Sequence, residues 1–388
     1  MVSFAAMSLF VREIAVSNYR SLRSVRMPVD RLGVFVGANG AGKTNLYRAM
    51  QLVQSAALGT LATELAAEGG MESASWAGER RRDESPRIKL SVGLGTAPGG
   101  APGPSQYGYA VEVGFPAPTN PAFPLEPNVK EERLTYRHRG RDVVLLERRG
   151  PSLMARDEEG RPVELGAELM ASETALGSLA DPSRYPDLQL VRQTLADWRF
   201  YHDLRTDPGS PLRKPSLAVT SPTLASDGAN LAAVFATLAH IREDTATLDA
   251  AIDDAFAGAR LEVPMPERTA TFGLVQPDLP KRVFEPHELS DGTLRYLGLV
   301  GALMAYRLPA FVALNEPEAS LHPDLLDPLG RMIVAASERT QIWVVTHSER
   351  LAAAIERHGG AKPRTVVKRA GATELEGLKF GVFADEED

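Results

Sequence analysis

A chain of 388 residues with 44% hydrophobic and 24% charged side chains has the composition of a globular protein large enough for two or three lobes. It contains no cysteine, which excludes disulfides and thiolate metal sites, and no apolar run long enough to span a membrane, so a cytoplasmic protein is expected. The formal charge of −7, with the acidic stretch Ala384–Asp388, argues against wholesale adhesion to nucleic acid and leaves room only for a local basic face.

In chain order, the opening MVSFAAMSLF is mildly apolar but lacks a basic flank, and reads as a ragged start with Met7 as a second candidate initiator rather than as a signal peptide. Val11–Val16 reads as a strand and Val25–Val29 as its hairpin partner, with NYRSL (Asn18–Leu22) following the first. The β-rich run Leu32–Val36 leads directly into Gly37–Thr44, GANGAGKT, and a helical segment follows. This fits the spacing G-x-x-x-x-G-K-[ST] in full and in the strand–loop–helix context the chemistry needs. Gly37, Gly40 and Gly42 let backbone N–H groups turn inward without Cβ clashes. The helix that follows presents its positive end to the same place. Lys43 is then placed for the β- and γ-phosphates and the Thr44 hydroxyl for Mg²⁺. The pattern implies a nucleotide site.

Beyond the helix, Gly59–Pro86 is rich in small and charged residues, and its run Arg80–Arg82 reads as a solvated loop rather than a contact to a phosphate backbone. Ile88–Leu94, Tyr107–Phe115, Leu134–Arg139 and Val143–Arg148 alternate with period two between Gly/Pro-rich breaks, which predicts antiparallel strands. From Glu164 to about Ala257 the pattern turns helical, with one helix opened by Asp227-Gly228 and another running from Asp244 to Phe256. Strands return at Thr269–Val275 and Arg282–Phe284.

The final third alternates helix and strand. Ser290 opens a helix, Phe311–Leu314 is a short buried strand, and Pro323–Arg339 is a helix. Gln341–Thr346 is a buried strand, Glu349–Arg357 a helix and Arg364–Lys368 a last strand, a succession that implies a mostly parallel sheet. Polar residues cluster where such strands end. Asn315-Glu316 follows one and His347 another, at the sheet edge where α/β proteins bind ligands. Glu288–Thr293 (ELSDGT) sets a Ser and a Gly at a helix N-terminus, a further place for an anion.

Taken together, NYRSL, GANGAGKTN, LSDGT, LNEPEASLHP and VVTHS, in that order, resemble the motifs of ATP-binding-cassette ATPases of the SMC, RecF and OLD kind. They are most similar to compact RecF-like predicted ATPases of the AAA grouping. The resemblance covers both terminal segments, roughly half the chain. It implies an α/β P-loop NTPase of ABC/SMC-head type, a mixed sheet with helices, plus an inserted α+β middle lobe. The expected boundaries are 1–58 for the N-terminal half of the ATPase domain, 59–268 for the inserted lobe and 269–388 for the C-terminal half.

By the same resemblance Glu316 is the general base, His347 the switch histidine at the γ-phosphate, and Ser290 and Gly292 the signature residues that reach ATP held by another protomer. Ser320 and Leu321 match the loop that crosses the dimer seam. Asn39, Asn45 and Arg20 match positions near the nucleotide, although a cap or a surface role explains Asn39 and Arg20 nearly as well.

Two residues depart from the family. Asn315 replaces the acidic residue on the magnesium side, which weakens the expected hold on the metal. Asp291 replaces the signature's second glycine and sets a carboxylate near the incoming triphosphate. Gln106 is one candidate for the family's intervening glutamine and is left unassigned.

The resemblance therefore implies ATP and Mg²⁺ as ligands, ATP hydrolysis, a nucleotide-dependent head-to-tail homodimer, and DNA or an effector protein as a further partner, in DNA repair or antiphage defence. A transporter motor subunit is disfavoured, because about 250 residues separate Lys43 from Ser290 whereas those subunits hold the two motifs much closer. A non-hydrolysing ATP-sensing scaffold is the remaining alternative, made credible by Asn315.

Overall fold

The computed structural model describes residues 9–79, 86–96, 106–117, 122–165, 169–179, 181–202, 204–242, 245–379 and 381–383. The expectations for the opening eight residues, Arg80–Arg82, Asp244 and Ala384–Asp388 lie outside them. Strand β1 (Phe10–Tyr19) turns into β2 (Leu22–Pro28), followed by β3 (Leu32–Val36) and helices α1 (Lys43–Leu58), α2 (Leu61–Ala67) and α3 (Gly70–Ala74). Strands β4 (Ile88–Gly95), β5 (Tyr107–Gly114), β6 (Asn128–His138), β7 (Arg141–Arg149), β8 (Ser152–Arg156) and β9 (Pro162–Glu164) come next. Helices α4 (Ala175–Ser178) and α5 (Pro186–Ala196) lead to β10 (Arg199–Tyr201) and β11 (Ser216–Leu217). Helix α6 (Leu231–Thr237) continues into a π turn, Leu238–Arg242, and α7 (Ala246–Phe256) follows.

Four short strands, β12 (Arg260–Glu262), β13 (Thr269–Ala270), β14 (Gly273–Val275) and β15 (Val283–Phe284), precede α8 (Asp291–Met304). The chain then runs through β16 (Phe311–Asn315), α9 (Leu326–Ser337), β17 (Gln341–Thr346), α10 (Glu349–Gly359), β18 (Arg364–Arg369) and β19 (Ala372–Leu375).

Two compact units result. The first comprises Met1–Arg31, Gly37–Trp198 and Thr365–Asp388, the second Leu32–Val36 and Arg199–Arg364. In the first, eight strands pair in the order β2-β1-β4-β5-β6-β7-β8-β9, every pairing antiparallel. Period-two burial explains it. Ile88, Leu90, Val92 and Leu94 face inward on β4, as do Tyr107, Tyr109, Val111 and Val113 on β5, while Lys89 and Glu112 pair on the outer face.

Helix α1 buries Leu46, Met50, Val53 and Ala57 on one stripe and ends on Gly59, whose φ of 77° closes the helix without steric cost. The small-residue, charged stretch after Gly59 forms α2 and α3, because Leu61, Leu65 and Met71 give it an apolar side to bury. Beneath the sheet Glu132 is fully buried. Its carboxylate accepts from Tyr109 Oη (2.9 Å) and from the backbone N–H groups of Ala175 (2.6 Å) and Leu176 (2.9 Å).

In the second unit β10, β16, β17 and β3 lie side by side in that order, all parallel. Both central strands are buried at every position, which is why FVALN and QIWVVT read as continuous runs instead of alternating. Phe35 stacks on Trp343 with centroids 4.3 Å apart, while helices α6, α7, α8, α9 and α10 pack their buried residues against Val312, Leu314, Ile342 and Val344 of β16 and β17. The region expected to be helical from Glu164 onward is interrupted by β10. Three residues are too few to show any periodicity, yet they extend the parallel sheet beside β16, pairing Phe200 with Ala313. The expected strand Thr269–Val275 is two strands, broken at Thr271–Phe272.

Candidate active site

The phosphate loop starts where β3 ends, with Val36 in register with Thr346. Two of its glycines are demanded by neighbours. A Cβ on Gly37 would stand 2.3 Å from the Val366 carbonyl oxygen, and one on Gly42, whose φ is 99°, would stand 1.9 Å from Thr373 Oγ1. Lys43 is buried, and its Nζ donates to the carbonyls of Gly37 (2.5 Å) and Ala38 (3.0 Å), curling over the loop it belongs to. Asn39, Gly40 and Thr44 are exposed, and Gly40 takes a φ of 78°.

A relay of hydrogen bonds fixes the loop from behind. Asn45 Nδ2 donates to Ser21 Oγ (2.7 Å), Ser21 and Thr373 share a 2.6 Å hydroxyl contact, and Thr373 Oγ1 donates to the Ala41 carbonyl (2.9 Å). Because the Thr373 proton goes to Ala41, the shared proton belongs to Ser21, so the relay runs in one direction. The NYRS turn thus reaches the loop through Ser21. Arg20 instead sends its guanidinium to Glu68, at 2.8 and 3.0 Å from Oε2, and Glu68 also accepts from the Tyr19 hydroxyl. The sequence contains no marker for the part played by Ser21 and Thr373, which lie 352 residues apart.

At the carboxyl edge of the parallel strands the second unit gathers His202, Asn315, Glu316 and His347. Asn315 is buried, with Nδ2 2.7 Å from His202 Nδ1, and its Oδ1 has no hydrogen-bond partner among the described residues. Glu316 sits at a φ of 49°. Its N–H donates to Val345 O (2.7 Å) and its carbonyl accepts from Arg295 Nη2 (3.3 Å), which hold it in a backbone region that costs a side-chain-bearing residue about 1–3 kcal/mol. Its carboxylate remains 39% exposed.

Glu318 is the residue the sequence reading passed over. It is buried, and Oε1 accepts from Thr346 Oγ1 (2.5 Å), His347 N (3.0 Å) and Ser348 N (3.2 Å), while Oε2 has no partner among the described residues. His347 Nδ1 lies 3.1 Å from that same Oε1 and 3.9 Å from Glu316 Oε1. A proton on Nδ1 is thereby directed at Glu318, leaving Nε2 for other work. Only the Glu-Pro-Glu spacing hinted at a second carboxylate here.

Ser290 caps α8, its Oγ accepting from Thr293 N (3.2 Å). Gly292 lets the Ser320 backbone come close, since a Cβ there would stand 2.8 Å from the Ser320 carbonyl oxygen. Asp291 is not a bare carboxylate. Arg213 Nη2 pairs with it at 2.7 Å, while Nη1 donates to the carbonyls of Pro286 (3.0 Å), His287 (3.2 Å) and Leu289 (2.9 Å). One largely buried guanidinium therefore holds the loop before α8 and offsets the negative charge of Asp291.

Among the described residues no group of three or more His, Cys, Asp or Glu side chains could hold a metal ion by itself. Magnesium takes much of its coordination from phosphate and water; the Thr44 hydroxyl in the first unit and the buried Asn315 Oδ1 in the second are each neutral oxygens of a kind it accepts.

The family model described as "AAA domain, putative AbiEii toxin, Type IV TA system" matches residues 33–353. No curated protein matches the chain. Among solved structures, the Smc head bound to the C-winged helix domain of ScpA is 17% identical, with coverage of 96% of this chain and 98% of that one and a TM-score of 0.47. The SMC head domain from Thermotoga maritima is 15% identical, with coverage of 95% and 99% and a TM-score of 0.44. The Smc head domain with an extended coiled coil bound to the C-terminal domain of ScpA derived from Pyrococcus furiosus is 14% identical, with coverage of 96% of each chain and a TM-score of 0.49. A family match that begins in the strand before the phosphate loop and ends in the last helix of the parallel unit covers most of the chain, and the chain belongs to this family of AAA-domain proteins, which bind nucleotide.

Proposed function

We propose that the chain is an ATP-driven dimerising switch with slow hydrolysis. ATP is held by Gly37, Asn39, Gly40, Gly42, Lys43, Thr44 and Asn45. Two copies close head to tail, so that Ser290 and Gly292 of each meet the nucleotide of the other. Glu316 orients the attacking water, and His347 contacts the γ-phosphate. Bound Mg²⁺ offsets charge on the phosphate oxygens; Thr44 and Asn315 would hold it. The observation that carries this reading is the backbone of Glu316, fixed in a costly conformation by Val345 and Arg295 with its carboxylate still accessible and His347 beside it.

The family's description as the AAA domain of a putative AbiEii toxin of a type IV toxin–antitoxin system favours the defence setting over DNA repair, with an effector protein as the further partner. The second reading, a sensor that binds ATP without turnover, is favoured by the neutral Asn315. Light scattering and phosphate release separate them. Glu316→Gln with ATP should run as a dimer, the unliganded protein as a monomer, and the unmodified protein should release phosphate slowly. Lys43→Ala should weaken ATP binding at least about a hundredfold, about 2.7 kcal/mol. A monomeric Glu316→Gln at micromolar protein with ATP would sink the switch, and ATP binding by Lys43→Ala within twofold of normal would sink the nucleotide assignment.

A further inference from the structure

The second unit contains a cavity of about 680 Å³ between α7, α8 and α9, within the size range of small-molecule sites. No residue assigned above to the nucleotide lines it. Leu248, Leu303, Met304 and Met332 make its walls apolar, and the two methionines can adapt to guests of different outline.

Its charged lining is unbalanced. Arg331 is committed to Asp254, with Nη2 at 2.7 Å and Nε at 2.9 Å, and also pairs through Nη1 with Asp327. Arg339 donates to the carbonyls of Ala305 (2.9 Å) and Tyr306 (3.0 Å), bonds that occupy its donors without neutralising its charge. Arg242, the last residue of the π turn, lies 4.6 Å over the ring of Tyr306 and donates no hydrogen bond to protein among the described residues. Among the described residues that line the cavity, three guanidiniums thus stand against one carboxylate, with Asp327 reaching Arg331 from outside the lining. A guanidinium laid on an aromatic face is held in place with its fork of N–H donors still available, the arrangement that grips a carboxylate through two bonds. π turns, moreover, are rare and recur at functional sites.

We propose that this cavity is a binding site for a small amphipathic anion, with an apolar or aromatic body between the helices and its acid group on Arg242. The test uses 8-anilinonaphthalene-1-sulfonate, whose fluorescence rises in apolar surroundings, with decanoate, decanol and decyltrimethylammonium as competitors. Saturable binding of one dye molecule per chain is expected, displaced by decanoate at least tenfold better than by the neutral or cationic chain. Ala251→Trp, which fills the cavity from a half-buried position, should abolish dye binding. Arg242→Gln, an exposed change that the fold tolerates, should erase the preference for decanoate over decanol. An unchanged melting temperature certifies each variant as folded. Dye binding that survives Ala251→Trp, a decanoate preference that survives Arg242→Gln, or displacement by the cation as effective as by decanoate overturns the proposal.

Discussion

Exchanging one carboxylate oxygen for an amide nitrogen at Asn315 removes a full charge while keeping the shape, and the consequence is electrostatic. A unit charge about 4 Å from an ion is worth about 4 kcal/mol per unit of ionic charge at an effective dielectric near 20, and less once the triphosphate competes. Asn315→Asp should therefore lower the Mg²⁺ concentration for half-maximal hydrolysis at least about several-fold. Magnesium titration at saturating ATP, with Glu316→Gln as the inactive control, reads this directly; an unmoved midpoint places Asn315 away from the metal.

Glu318 is argued from its bonds. Glu318→Gln keeps an oxygen for Thr346, His347 N and Ser348 but removes the charge facing His347 Nδ1. Hydrolysis should drop about tenfold at unchanged ATP affinity. Glu318→Ala leaves three donors without their acceptor, at about 1–3 kcal/mol for each that stays buried and unsatisfied, and should lower the melting temperature as well. Equal rates in Glu318→Gln and the unmodified protein would reduce Glu318 to a structural part.

At the scale of elements, the signature loop depends on Arg213. Arg213→Ala would release Asp291 and three carbonyls together, and a lysine cannot span that fork, so Arg213→Lys should not rescue it. Both variants should bind ATP normally and fail to dimerise with it. An ATP-dependent dimer of Arg213→Ala at wild-type strength would show that the loop holds itself. Elements of this kind were legible to different degrees. Runs such as QIWVVT and the alternation in β4 and β5 carry their burial in their own pattern, and GANGAGKT its loop, so these were readable. Arg213 was not: it lies 78 residues from the Asp291 it pairs with, inside a segment that reads only as helical. Similarly β10 is a strand because β16 is beside it, not because three residues favour extension.

The molecule as a whole should feel pH through Glu132. Burial pushes this carboxyl above its ordinary range, more than its bonds to Leu176, Ala175 and Tyr109 and the nearby charge of Arg148 pull it down. A carboxyl that titrates higher when folded than when unfolded favours the folded state below the unfolded range. That advantage disappears as pH rises through the folded value. Melting temperatures measured from roughly pH 4 to roughly pH 8 should therefore show the unmodified protein losing ground to Glu132→Gln as pH rises. A constant gap between the two would mean Glu132 titrates alike in both states.

Thr373 gives the phosphate loop a place in time. Its hydroxyl holds the Ala41 carbonyl across 332 residues of chain, and its side chain fills the space that a Cβ on Gly42 would need. A ribosome adding roughly 5–20 residues per second exposes the glycine loop on the order of tens of seconds before it makes the residue that fastens it. During that interval a nascent chain carries the motif without its clasp. Any product that stops short of Thr373 stays in that condition, so the relay through Ser21 can close on the loop only in chains translated past Thr373.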